Sequence, residues 1–451
     1  MTGGAEPVDQ QVERGGSARL VLRDALVDGS RADVLLVDGV VAAVLPPGRA
    51  GDPHGGPGEV LDLGGRLLLP AFVEPHTHLD KALVGPLGGA GGLAGAIDAW
   101  NRDRGRRSAA ETAARAEAAL LEYVRHGTGT VRTHVDAQPG SGTGGVEAVV
   151  GAGVRAAHLV QVQVVAMAGL PLTGPAGGAA RSALLDALDA GAGLVGGAPW
   201  LDPDPRAALD VLLAVAAERG LGVDLHVDEA LAVDVATVGH LVAAVDAGFD
   251  LPVTAGHVVA LGQAPLSVQR ATAEDLARTG IGVVTNPRTN LWLQDRETPV
   301  AARRGLTAVR ALLDAGVAVG AGADNLRDPF NPYGAADPLQ VAQLLAWCAP
   351  VSAGEALHAV TDGARAVVAQ VARVLPGGPG GAAGSRVQSG SAGSLVQVGQ
   401  PADLVALAAR GADDALAGTP ADRLVLHRGR VVARRTVVDD PLPVVLPDGR
   451  S

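Results

Sequence analysis

Between residues 105 and 325 the chain alternates between two hydrophobic rhythms. A helical stretch runs into glycine and a short apolar, β-branched run follows, seven times over: RHGTGTVRTHVD, GAGVRAAHLVQVQVVAM, DAGAGLVGGAPW, ERGLGVDLHVDE, DAGFDLPVTAGH, RTGIGVVTNP and DAGVAVGAGADN. Glycine just past a helix end takes the left-handed conformation at little cost, so each reads as a stop before a buried strand. Ser108 and Glu111 carry the opposite signal, the spacing of a capping box at a helix start. The apolar run LLLPAFVEPHTH adds one more strand. Eight strands alternating with helices is the count of an α/β fold closed into a (β/α)8 TIM barrel. An open doubly wound sheet is the alternative.

The two ends follow a different pattern. Residues 18–66 and 397–437 are short strands separated by tight DG, GG and RG turns, with no long helix between them. They read as one small β-sandwich assembled from both termini, with residues 67–376 forming the barrel. Residues 377–393, GGPGGAAGSRVQSGSAG, are rich in Gly and Ser and read as a flexible loop.

Composition narrows the chemistry. The single Cys348 rules out a disulfide framework and any multi-cysteine metal site, so metal ligands have to be His and carboxylate. A net charge of −12, with no basic run interleaved with aromatics, disfavours nucleic acid as a partner. The N-terminus shows no basic-then-apolar leader, and no apolar run reaches the ~18 residues of a membrane span. The expected setting is the cytoplasm, without membrane attachment, and a homo-oligomer is compatible with the reading.

The candidate site is built from strand ends. On a strand, positions i and i+2 point to the same side, so His76 and His78 face one way at the end of strand one. Barrel enzymes place their active sites at that end of the strands. Alone, an HxH could be a surface pair. However, LHVDE ends strand five with His226, TAGH ends strand six with His257, and GAGADN ends strand eight with Asp324. His76, His78, His226 and Asp324 would then hold one divalent ion, Zn²⁺ or Fe²⁺, with a position left for water. Glu229, three residues after His226, is placed to shuttle protons, and His257 to hold the hydroxide by a hydrogen bond. Asp324 thus serves as ligand and catalytic residue. His134 and Asp136 end strand two and are read as supporting or structural, as are His54, His126, His158, His240, His358 and His427.

PHTHLDKA, VRTHVDA, LHVDEA, VTAGH, NPRTNLWLQDR, RRGLTAV and GADNLRDPFNPYG, in this order, resemble the amidohydrolase superfamily, and specifically its cytosine deaminase-like branch. The resemblance runs from the strand before His76 to about residue 345, and the split β-sandwich also matches. It implies a mononuclear, metal-dependent hydrolase acting on carbon–nitrogen bonds other than peptide bonds, with the ligand and catalytic residues just named. Binuclear members bridge two metals with a carboxylated lysine at the end of strand four. Lys81 is the only lysine here and follows strand one, so the bridge is missing.

The implied reaction is hydrolytic deamination of a free aminated N-heterocycle by metal-bound hydroxide, the substrate being a cytosine-like pyrimidine, a triazine or a related cyclic amidine. Cytosine deaminases end strand three in a Phe-Pro-Gln-like segment whose Gln reads the pyrimidine edge. Met167, Ala168 and Gly169 stand there in this chain, and Asn325 stands where that enzyme has Asp. Specificity has therefore moved away from cytosine itself. Gly169, Trp200, Asn286, Asn325 and Phe330 are the candidate substrate contacts, with Trp292, Gln294 and Arg327 nearby. An amide or ring-opening amidohydrolase on the same scaffold and a non-catalytic ligand-binding relative are the alternatives.

Overall fold

The computed structural model describes residues 19–49, 59–88, 92–231, 236–300, 302–369 and 396–437. The Gly/Ser-rich segment 377–393 and His54 lie outside them. Eight parallel strands form the larger sheet: Phe72–Thr77, Thr128–Ala137, Gln161–Ala168, Leu194–Gly197, Val223–Val227, Val253–His257, Gly282–Thr285 and Val319–Ala321. Each pairs with its chain neighbour in order. The seam between the first and last is bridged at Thr77 and Asp324, where the Asp324 N–H donates to the His76 carbonyl at 3.0 Å. The expected (β/α)8 barrel is the fold observed.

Local signals explain where the helices stop and start. Gly220 and Gly280 cap helices Pro205–Arg219 and Leu266–Thr279 at φ +63° and +71°, values a side chain would make costly. Ser108 and Glu111 form the reciprocal capping box of helix Ala109–Arg125. One glycine was misplaced by its pattern. Gly153 lies inside helix Gly144–Arg155, which ends at Ala156 without a glycine. Val164, Val195 and Leu225 of the strands pack with Leu184, Leu212 and Leu241 of the helices in the main core. Each such fully buried side chain contributes about 2 kcal/mol of transfer free energy.

The run LLLPAFVEPHTH is not one strand. It divides at Ala71: Leu67–Pro70 belongs to a second sheet and Phe72–Thr77 to the barrel. That second sheet is mixed and contains strands from both chain ends. Leu67–Pro70 pairs with Arg19–Val27 on one side and with Leu404–Leu407 on the other, so it joins the two contributions. Ser30–Val37 and Val40–Leu45 extend one edge and Arg423–His427 and Arg430–Arg435 the other. Glu59–Asp62 adds in parallel to Arg19–Val27. Hairpin turns at Asp28–Gly29, Asp38–Gly39 and Arg428–Gly429 have both residues at positive φ, the twist that two-residue hairpins favour. Among the described residues, no helix is long and apolar enough to cross a membrane.

Candidate metal and catalytic site

The strand-end residues singled out by the sequence converge at one mouth of the barrel. His76, His78, His226, His257 and Asp324 are all buried, each exposing 5% or less. His78 and His226 bring their Nε2 atoms within 3.3 Å, and Asp324 Oδ1 lies 3.3 Å from His78 Nε2 and 3.7 Å from His76 Nε2. His76 is central, its ring centroid 4.6 Å from that of His226 and 4.9 Å from that of His257. Burial first, and the neighbouring imidazoles second, hold His76 far below its ordinary pKa, so it is neutral with a free lone pair. Burial likewise pushes the Asp324 carboxyl up, reinforced by the nearby Glu229 and Asp328.

Glu229 stands at the edge of this group, its Oε1 3.3 Å from His257 Nδ1. Burial pushes its carboxyl up to about 8, against a weak stabilising contact from the Asn290 amide. The loop that presents it is fixed by its neighbour. Asp228 accepts the N–H groups of Thr237 and Val238 at the start of helix Ala236–Asp246, leaving Glu229 to face the barrel. Gln294 donates to the Glu229 carbonyl at 3.1 Å. Burial draws His257 down to about 3, so it is neutral as well.

Part of the backbone that carries these residues is strained. Asp228, His257, Val258 and Asp324 all have positive φ, from +44° to +69°. Such conformations cost roughly 1–3 kcal/mol each in residues other than glycine and concentrate at sites whose surroundings force them.

Several supporting residues escaped the sequence reading. Glu74, inside the apolar first strand, is buried and accepts the N–H groups of His76 and Ala323, tying the first strand to the chain just past the last. Thr77 donates to the Asp324 carbonyl at 2.8 Å and accepts from the Tyr123 hydroxyl at 3.0 Å. Asn290 lies 3.1 Å from His257 Nδ1. Below the cluster, Arg132 donates to Asp224 at 2.7 Å, and Asp224 lies 3.4 Å from His134 Nε2. The His134 ring packs 4.2 Å from that of His76. Donor atoms of His134, His76 and His226 lie within 4.8 Å of one another, so His134 joins the cluster to the Arg132 and Asp224 pair below it.

The substrate-contact candidates separate into two groups. Phe330 faces the mouth, its ring 5.8 Å from Lys81 Nζ. Lys81 is itself buried, paired with Asp136 at 3.2 Å and 3.2 Å from His78 Nδ1, a placement that its use as a mere absence on strand four did not foresee. Trp200 sits in the turn after the fourth strand with its indole N–H buried and unpartnered among the described residues. By contrast, Asn286 lies against His257, 3.4 Å from its Nε2, and the Asn325 amide is engaged by Asp328 at 2.8 Å. Arg327 points outward and pairs with Glu122, and Trp292 stacks under Arg296 at 3.5 Å. Gly169 contributes only backbone.

The donor set fits a divalent cation. Both ring nitrogens of His76 and Nδ1 of His226 are buried with no hydrogen-bond partner among the described residues. Three neutral imidazoles and a carboxylate brought this close present lone pairs to one another, which only a cation between them would make favourable. Donor atoms of His76, His78 and Asp324 lie within 4.8 Å of one another, as do those of Glu229, His257 and Asp324.

Residues 94–439 match the amidohydrolase family. The chain belongs to the amidohydrolase family. It is 34% identical over 417 residues to a pterin deaminase of Rhizobium rhizogenes, a match covering 90% of this chain and 88% of that one. Among solved structures, it resembles an N-isopropylammelide isopropylaminohydrolase from Burkholderia multivorans at 27% identity and TM-score 0.75, over 92% of this chain and 98% of the other. The fold also matches 5-methylcytosine deaminase from Klebsiella pneumoniae, solved with 5-fluorocytosine, at 24% identity and TM-score 0.79, over 94% and 99% of the two chains. This amidohydrolase is a hydrolase acting on carbon–nitrogen bonds other than peptide bonds.

Proposed function

We propose that this amidohydrolase deaminates a free aminated N-heterocycle by hydrolysis, with a pterin-like aminated lactam as the first candidate and cytosine-like pyrimidines, triazines and related cyclic amidines next. The observation that carries the reading is the convergence of His76, whose ring nitrogens have no hydrogen-bond partner among the described residues, with His78, His226 and Asp324, and of a buried carboxyl, Glu229, at the edge of that group. The 34% identity to a pterin deaminase over most of both chains supports the order of candidates.

In this reading His76, His78, His226 and Asp324 hold one divalent ion, Zn²⁺ or Fe²⁺. A divalent ion at such a site brings the pKa of its water towards ~7 and so supplies the nucleophile at neutral pH. Glu229 takes a proton from the attacking water and delivers it to a ring nitrogen. It then takes the second proton from the hydroxyl added to the ring carbon and passes it to the amino group, so that the C–N bond breaks, ammonia leaves and the carbon keeps the oxygen as a carbonyl. Its raised pKa suits a group that must both accept and donate near neutrality. Neutral His257, steadied by Asn286 and Asn290, orients the water through a hydrogen bond. No lysine stands on the strand Leu194–Gly197, which supports one ion rather than a bridged pair.

The test is ammonia release by metal-loaded protein across a panel of pterins, aminopyrimidines and aminotriazines. Turnover that ceases with a chelator and in Glu229→Gln is the expected result. A ring-opened carboxylate without ammonia would sink the deaminase reading, as would bound metal with no turnover of any member.

A further inference from the structure

Gly169 has no conformational reason to be glycine, because its φ lies outside the left-handed region. Its reason is space. A Cβ there would lie 2.5 Å from Gln138 Oε1, 3.1 Å from Gln138 Cδ and 2.7 Å from Pro139 Cδ. The carboxamide of Gln138 therefore fills the volume that a side chain at 169 would take.

Where that carboxamide sits follows from register. On the second barrel strand His134 faces inward against His76, and Asp136 faces inward against Lys81. With a period of two, Gln138 continues that face one step nearer the rim. The ladder confirms the level: Ala137 pairs with Ala168, and the Gly169 N–H donates to the Ala137 carbonyl at 3.0 Å. Asp136 and Met167, paired one step below on that face, are already partly exposed. Gln138 is itself partly exposed, and its backbone is anchored by a turn in which Ser141 N–H donates to its carbonyl. No hydrogen bond to its carboxamide is made by any described residue. It is a donor–acceptor pair lying against Gly169 at the rim end of the second and third barrel strands.

We infer that Gln138 is a specificity-determining residue: its carboxamide pairs with the lactam edge of the heterocycle, an adjacent ring N–H and C=O, and Gly169 is glycine to admit it. One acceptor and two donors on a planar group match that edge in two parallel hydrogen bonds. This deepens the deaminase reading and rests on it for the identity of the ligand. The site would favour heterocycles carrying a ring carbonyl beside N–H over isosteres that lack it.

The experiment uses metal-loaded protein and two matched pairs, pterin with 2-aminopteridine and cytosine with 4-aminopyrimidine, the second member of each lacking the carbonyl. Ammonia release is measured in the active protein, and binding in Glu229→Gln. Gln138→Ala should raise KM for the carbonyl-bearing members by roughly tenfold to a hundredfold with kcat little changed, and leave the others within a few-fold. Gly169→Ala should do the same by displacing the carboxamide, and the double variant should lose no more than either single one. Metal content and melting midpoint of Gln138→Ala should match the parent. Equal losses on both members of a pair, or none on either, would overturn the assignment, as would a panel that binds nothing. Should no member release ammonia while Gln138→Ala still weakens binding of the carbonyl-bearing ones, the deaminase reading fails and the role of Gln138 stands.

Discussion

Two buried polar layers lie one above the other in this barrel, and they are solved in opposite ways. In the lower layer Arg132, 1% exposed, donates to Gln163 at 2.9 Å, Asp224 at 2.7 Å, Thr254 at 3.1 Å and the Val368 carbonyl at 3.0 Å. Gln163 returns a bond to the same carbonyl. In the upper layer His76 is just as buried, yet neither of its ring nitrogens has a hydrogen-bond partner among the described residues. The same strands supply both: Arg132 and His134 are i and i+2 on one, Asp224 and His226 on another. A buried polar group left unpaired costs about 1–3 kcal/mol, so a closed network reads as architecture and an open one as a place for something to bind.

That contrast can be broken most sharply at Glu229. Its replacement by Gln should lower ammonia release by ~10²–10⁴-fold while elemental analysis and the melting midpoint stay near those of the parent. Retained turnover would mean that the upper layer does its chemistry without this carboxyl. Next come the donors themselves. Asp324→Ala or His226→Ala should lower the metal content seen by elemental analysis, and chelation of the parent should lower its melting midpoint. At a thousandfold excess of ion over its Kd the lost linkage amounts to about 4 kcal/mol. Metal content equal to the parent in both variants would remove the basis of the proposed site.

The lower layer should respond in stability first. Arg132→Met leaves Asp224 buried without its cation and should cost roughly 3–5 kcal/mol in urea unfolding. A cost below about 1 kcal/mol would show the network to be dispensable and the distinction between the layers false. The smallest effect is expected far from both. Ser108→Ala removes half of a capping box and should cost about 1 kcal/mol with no change in metal content or turnover.

The sequence exposed the candidate ligand positions because their signals are local: a period of two put His76 and His78 on one side, and glycine caps marked where the strands began. It misjudged the strand that carries them, since nothing in LLLPAFVEPHTH marks Ala71 as the point where the chain leaves one sheet for another. That division is set by which strands lie alongside, Leu404–Leu407 for the first part and Thr128–Ala137 for the second. Glu74 carries no local signal of its role, because its partner N–H at Ala323 is 249 residues away. Lys81 was used only as a missing bridge, although its pairing with Asp136, across 55 residues, puts its ammonium beside His78. Asn286, expected to line the pocket, lies against His257, a contact no spacing announces.

By itself, then, the sequence determined the repeating strand–helix unit, the residue types able to hold a cation, and the order in which they come along the chain. Periodicity, caps and turns act within a few residues, so they can be read directly. The tertiary structure alone decided which polar groups found partners and which were left open, because that depends on side chains brought together from strands a hundred or more residues apart in a space that excludes water.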